Sequence, residues 1–204
     1  HMRHYRTRRK LWGVAMFEKV FYSGSSEESI PDLSEDFCNA IIKVVDNVEE
    51  QKATVHGRDN SQDVRNNSVY AVDDSDFKKV VLSWMLKANV EMGWEFDITG
   101  IETLQLSKYS ENQKYSWHYD VMPGPTARKL TFTVSLNTGY KGGEFQFSWG
   151  KPNWKYKKRT IPEPALETVG KFIIFPSYYY HRVLPVTEGV RYSLTGWAYG
   201  PPFK

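Results

Sequence analysis

His118 and Asp120, two residues apart in Trp117-His118-Tyr119-Asp120, are where chemistry can begin in this chain. They follow a run with strand character, and on an extended chain residues separated by two project to the same side. One imidazole and one carboxylate can then face one ion. A third ligand must come from elsewhere. The remaining histidines are His1, His4, His56 and His181. His181 lies in a second strand-like segment, 175–183, which a closed β-sandwich can bring alongside the first. Two histidines and a carboxylate leave the opposite positions of a metal open, which suits non-haem iron(II). The same trio could hold zinc for hydrolysis, because catalytic zinc also keeps an open position.

Arg191 narrows the choice. It stands ten residues after His181 in Val190-Arg191-Tyr192-Ser193-Leu194-Thr195. With a tight turn near Thr187-Glu188-Gly189 it can return along the neighbouring strand and face the same cavity. A buried guanidinium there needs an anion, and bidentate pairing with a carboxylate is its strongest option. The distal carboxylate of 2-oxoglutarate supplies one. A zinc-dependent hydrolase, or a non-catalytic cupin-like binding domain that kept the ligands, leaves Arg191 without a purpose.

The elements that must position these residues are legible in outline. Segment 33–50 places Phe37, Ile41, Val44, Val45 and Val48 at helical spacing, with Ser34 as N-cap and Glu35 and Asp36 in the first turn. Cys38 falls on the same apolar side, as an inert core residue. A second helix begins near Asp76, carries Phe77, Val81, Trp84, Ala88 and Met92 on one side, and stops at Gly93. The polar stretch 56–68 reads as a loop. From Ile98 onward come short alternating or β-branched runs, 103–109, 130–136, 144–147, 171–175 and 192–197, which read as strands. Gly142-Gly143-Glu144 reads as a hairpin turn, because no P-loop lysine follows it. The expectation is one α+β domain over 1–204, with helical support over about 30–97 and a β core over about 98–200. A jelly roll is one architecture that fits.

Composition limits the function classes. The chain has 204 residues, 40% hydrophobic and 15% aromatic, which is the make-up of a globular domain. A single cysteine excludes an intramolecular disulfide and favours a cytoplasmic protein. No apolar stretch is long enough for a membrane helix, so a soluble protein is expected. Of the formal +3, five positive charges sit at Arg3, Arg6, Arg8, Arg9 and Lys10, leaving −2 on the remainder. That balance speaks against nucleic acid as a partner for the folded body. His1-Met2 reads as a cloning remnant. The segment 151–159 interleaves Trp154 and Tyr156 with lysines and Arg159, as a solvated hairpin or a contact for a polyanion or an acidic peptide.

The residues also carry a resemblance. It runs from Arg65-Asn66-Asn67-Ser68 through Ile101-Glu102-Thr103-Leu104-Gln105, Tyr109, Tyr115-Ser116-Trp117-His118-Tyr119-Asp120, Arg128-Lys129-Leu130-Thr131, Tyr140 and Gly142-Gly143-Glu144. It continues through Gly170-Lys171, Phe175-Pro176-Ser177, the run from His181 to Arg191, and Trp197. In these positions the chain resembles the prolyl 4-hydroxylase-like branch of the iron(II)/2-oxoglutarate oxygenases, including PKHD-type hydroxylases and related phage proteins. The first thirty residues and 149–160 fall outside the resemblance.

That resemblance implies a double-stranded β-helix with N-terminal supporting helices. It implies iron(II) on His118, Asp120 and His181, and 2-oxoglutarate chelating it with its far carboxylate on Arg191. Tyr109 and Thr131 would be further contacts to the cosubstrate, and Trp197 and Tyr115 would line the substrate pocket. The implied reaction uses O2, releases succinate and CO2, and hydroxylates a prolyl residue of a protein or peptide, with ascorbate as a candidate reductant. The nucleic-acid-demethylating branch is expected to carry a second arginine six residues after Arg191, where this chain has Trp197. A small-molecule substrate stays open as the alternative, and a phage origin would place the protein in a host-cell cytoplasm.

Overall fold

The computed structural model describes residues 19–25, 29–53, 63–122, 124–148 and 160–203. The basic run at 3–10, His56 and most of 149–160 therefore lie outside the described residues. Ser34 caps α1 (Glu35–Ile42), its hydroxyl accepting the N–H of Phe37 at 3.2 Å. The helix is shorter than its apolar spacing implies. After Ile42 the chain tightens into a 3-10 turn, Lys43–Asp46, where two adjacent β-branched valines lose side-chain freedom in a helix. Phe37 is 40% exposed and only its ring edge meets Phe77, with centroids 5.0 Å apart. The second helix, α2 (Ser75–Glu91), is capped by Asp74, whose carboxylate accepts the N–H groups of Asp76 and Phe77. It ends where Gly93 adopts φ +65°, the left-handed conformation glycine permits.

Fourteen strands are described: β1 (Phe21–Tyr22), β2 (Gln51–Lys52), β3 (Ser68–Val72), β4 (Gly100–Ile101), β5 (Leu104–Tyr109), β6 (Tyr115–His118), β7 (Ala127–Ser135), β8 (Lys141–Gly142), β9 (Phe145–Ser148), β10 (Thr160–Pro162), β11 (Phe172–Pro176), β12 (Tyr180–Val183), β13 (Val186–Glu188) and β14 (Arg191–Gly200). The larger sheet has the order β1-β11-β7-β14-β5-β3-β2, with β4 beside β14, and the smaller has β10-β9-β12-β6. A two-stranded ribbon joins β8 to β13. All pairings are antiparallel. This is the α+β jelly roll, a double-stranded β-helix. No helix among the described residues is long and apolar enough to cross a membrane.

Period-two alternation in three strands builds the layers. Leu104 and Leu106 on β5, Leu130, Phe132 and Val134 on β7, and Leu194 on β14 are fully buried and join one cluster with Cys38, Val81, Met85 and Ala88 of the helices. Burying a side chain such as Phe132 contributes about 2 kcal/mol. Trp84 seals this layer by stacking on Phe172 with centroids 5.1 Å apart. The alternate residues, Gln105, Ser107 and Tyr109, Thr131 and Thr133, and Arg191, Ser193, Thr195 and Trp197, line a cavity on the other side. A second cluster, including Phe145, Phe147, Ile173, Phe175 and Val183, fills the rest of the space between the sheets. The helices thus stiffen one face of the larger sheet while its polar face is presented inward.

Two local expectations are corrected. Gly142 and Gly143 do not close a hairpin: β8 pairs with β13, while β9 pairs with β10 and β12. They carry the chain from one pairing to the other at φ +71° and +69°. A Cβ on Gly142 would lie 2.4 Å from the Pro185 carbonyl oxygen, and one on Gly143 3.1 Å from Arg191 Cδ. Nor does Arg191 return beside the strand of His181. It lies on β14, flanked by β5 and β7 in the opposite sheet, so the two residues meet across the sandwich.

Candidate metal centre

His118 and His181 are directly opposite each other in the β6–β12 ladder, and Asp120 lies two residues beyond the end of β6. The ladder explains why side chains 63 residues apart in sequence share one site. One ligand atom from each of His118, Asp120 and His181 lies within 4.8 Å of the others. Both imidazole Nε2 atoms are 3.6 Å from the Asp120 carboxylate, His118 from Oδ1 and His181 from Oδ2. Each ring is oriented through its other nitrogen. His118 Nδ1 lies 2.8 Å from the Ser116 carbonyl oxygen, and His181 Nδ1 3.0 Å from that of Tyr179. A carbonyl only accepts, so each Nδ1 carries the proton and each Nε2 offers a lone pair. Outer hydrogen bonds of this kind fix the tautomer a metal needs.

Aromatic packing holds the rings. Tyr115 stacks on His118 with centroids 3.4 Å apart, and Phe145 stacks on His181 at 5.3 Å. Arg65 covers the other face of Tyr115 at 4.5 Å. Burial, then the neighbouring His181, pushes the His118 pKa well below the usual histidine range, despite the Asp120 carboxylate that favours its charged form. Burial alone would raise the Asp120 pKa, but His181 and His118 outweigh it, with smaller help from Trp197 and Arg128, and the group stays below its ordinary value. With each Nδ1–H turned to a backbone carbonyl, the trio presents two Nε2 lone pairs and one carboxylate, a donor set that can bind a cation.

Arg191 lines the same cavity and is 1% exposed. Its Nη1 donates to Ser193 Oγ at 3.0 Å, its guanidinium carbon sits 5.5 Å from the Tyr109 ring centre, and its buried Nε has no partner. Among the described residues no carboxylate pairs with it. An uncompensated buried cation is costly, and an anion is the ligand this end of the cavity could accept. Tyr109 faces Arg191 across the β5–β14 ladder. Thr131 also lines the cavity, but its hydroxyl donates to Asp120 Oδ2 at 2.8 Å rather than standing free for a cosubstrate. Trp197 and Tyr115 are both in the lining. The buried Trp197 indole N–H influences Asp120 while lacking a hydrogen bond of good geometry.

Sequence reasoning missed two residues with a role here. Arg65 is buried, caps Tyr115 and donates from Nε to Asn67 Oδ1 at 2.8 Å. Arg128 lies over the Trp197 ring at 3.9 Å and makes a bidentate pair with Glu102 at 2.7 and 2.6 Å. Both stand in the stretches that carry the family resemblance, and that placement was the only signal.

The family model for the 2OG-Fe(II) oxygenase superfamily matches residues 104–199, which contain the histidine pair, Asp120 and Arg191. Over those residues, just under half of its length, the chain is similar to that superfamily. A PKHD-type hydroxylase of Idiomarina loihiensis is 26% identical over 143 residues, 67% of this chain and 60% of the relative. Another, from Rippkaea orientalis, is 34% identical over 103 residues, 48% of this chain and 42% of the relative. The matched stretch thus spans about half the length of these relatives. Among solved structures, a prolyl-4-hydroxylase from Pseudomonas putida superimposes with a TM-score of 0.64 at 18% identity, covering 88% of this chain and 91% of the other. The viral collagen prolyl hydroxylase of Paramecium Bursaria Chlorella virus-1, in its 2OG complex, gives 0.63 at 17% identity, covering 92% and 99%. At that identity these two show the fold alone.

Proposed function

We propose that this protein is an iron(II)- and 2-oxoglutarate-dependent dioxygenase that hydroxylates an unactivated C–H bond, with a prolyl residue of a protein or peptide as substrate. One observation carries the proposal: a metal-competent His-Asp-His trio shares a cavity with a buried arginine that has no counter-charge among the described residues. The residues fit the implied groups. Two Nε2 lone pairs and one carboxylate suit iron(II), and the unpartnered Nε of Arg191 suits a carboxylate. A zinc hydrolase explains the trio but not the arginine.

Bound iron and 2-oxoglutarate supply the oxidising power, with O2 consumed and succinate and CO2 released. The chain's own residues do the positioning. His118, Asp120 and His181 hold the metal, and their hydrogen bonds to Ser116, Tyr179 and Thr131 set ring tautomer and carboxylate orientation. Arg191 anchors the far carboxylate, assisted by Tyr109. The apolar walls at Phe145, Phe175 and Val183 exclude water. Trp197 and Tyr115 face the substrate. Tyr119 and Tyr178, 47% and 39% exposed, offer aromatic surfaces of the kind proline-rich chains dock on. The buried free thiol of Cys38 accords with a reducing cytoplasm.

Anaerobic addition of iron(II) and then 2-oxoglutarate tests this reading. A weak visible charge-transfer band on adding the oxoacid is the expected result. Tight zinc binding with no affinity for 2-oxoglutarate would return the protein to the hydrolase reading.

A further inference from the structure

Asp120 is restrained in its main chain by Ser177 and in its side chain by Thr131, and the hydroxyls of those two residues meet. The Asp120 backbone N–H donates to the Ser177 carbonyl oxygen at 2.8 Å. Thr131 Oγ1 donates to Asp120 Oδ2 at 2.8 Å and lies 3.0 Å from Ser177 Oγ. Ser177 and Thr131 are 0% and 1% exposed, so water does not compete for either hydroxyl. A hydroxyl has one proton, and a carboxylate only accepts. Thr131 spends its proton on Asp120, and Ser177 must therefore donate to Thr131. The direction of the chain is fixed by this count alone.

Its ends are anchored. Ser177 N–H donates to the Lys129 carbonyl oxygen at 3.0 Å, and the residue lies in the turn between β11 and β12, four residues before His181. Thr131 sits mid-ladder on β7, opposite Phe175 on one side and Trp197 on the other. We propose that Ser177 and Thr131 form a directional hydroxyl relay that positions the Asp120 carboxylate for the metal. Through it, Ser177 couples the Asp120 arm of the site to the turn that delivers His181. Both are positioning residues, and the inference rests on the metal-binding reading of the trio. Hydrogen bonds in such a chain polarise one another in a low-dielectric interior, so losing the far hydroxyl weakens the near one.

Co(II) is the probe, because it binds such sites without turnover and its visible ligand-field bands report ligand geometry. Loss of an outer hydrogen bond to a ligand costs about 10- to 100-fold in metal affinity. Thr131→Val should weaken Co(II) binding by about 30-fold and shift the bands, while Thr131→Ser, which keeps the hydroxyl, stays within about threefold of wild type. Ser177→Ala should cost several-fold and shift the bands in the same direction. The double variant should bind no more than about twofold worse than Thr131→Val, because Ser177 Oγ acts through Thr131. Wild-type affinity and spectrum in Ser177→Ala would overturn the relay, as would a double variant showing the product of the single losses. If Thr131→Val does not fold, Ser177→Ala decides, since it removes one oxygen and leaves the main-chain bonds. Failure of the wild type to bind Co(II) would overturn the metal reading itself.

Discussion

Replacing Arg191 by methionine separates the two halves of the site. Arg191 is 1% exposed, and its guanidinium donates to Ser193 and lies beside the Tyr109 ring. Removing one partner of a buried charged pair costs about 2–5 kcal/mol. Taking about 3 kcal/mol, the 2-oxoglutarate Kd should rise by about 150-fold, while the Mn(II) affinity measured without the oxoacid stays within about twofold. Thermal unfolding gives a second readout. At 100 times the wild-type Kd, 2-oxoglutarate should stabilise the metal-loaded wild type by about 2.7 kcal/mol, and the variant by only about 0.3 kcal/mol. For a domain of this size that is a Tm increase of about 5–10 °C against about 1 °C. Without ligand, the methionine protein should melt no lower than wild type, because it loses an uncompensated buried charge and keeps similar volume. Oxoacid affinity within threefold of wild type, or loss of metal and oxoacid in equal measure, would refute the reasoning.

His181→Ala should abolish Mn(II) binding in equilibrium dialysis while leaving the β fold visible by circular dichroism, because it deletes one of three ligands in a site the ladder still forms. Gly143→Ala forces a Cβ into φ +69° and to 3.1 Å from Arg191 Cδ, which should cost about 1–2 kcal/mol of stability by denaturant titration; it should also raise the 2-oxoglutarate Kd more than the metal Kd. The metal-free protein should lose stability on acidification. His118 has a depressed pKa in the fold, so below about pH 6.5 the unfolded chain takes up a proton that the folded protein resists. Its contribution is complete above that pH and declines as pH falls toward the depressed value. Chemical denaturation between pH 7.5 and 5 should show this decline, reduced in His118→Gln.

What the residues announced in advance follows from short-range rules. The His-x-Asp spacing works because β6 is extended through His118, and Ser34 and Gly93 mark helix ends through local hydrogen bonding and φ alone. The alternating or β-branched runs 130–136 and 192–197 marked two strands, now β7 and β14. Errors arose where long-range pairing decides. Gly142-Gly143 carries the turn chemistry of a hairpin, yet pairing with β13 makes it a crossover. Arg191 was placed beside His181 because they are close in sequence, whereas the strand order puts them on opposite sheets. Strand β3 was not expected, since Ser68–Val72 follows a polar stretch and gains its place by pairing with β5. The jobs of Arg65, Thr131 and Ser177 depend on distances across 46 to 50 residues of sequence, such as Thr131 to Ser177 or Arg65 to Tyr115, and no spacing rule reaches that far.

The most direct test of the central claim is succinate formation from 2-oxoglutarate by the iron(II)-loaded protein in air, with and without proline-rich peptides and with Asp120→Ala as control. The account predicts succinate from the wild type, more of it with a peptide substrate, and none from Asp120→Ala. Metal-loaded wild-type protein that neither binds 2-oxoglutarate nor forms succinate would contradict it.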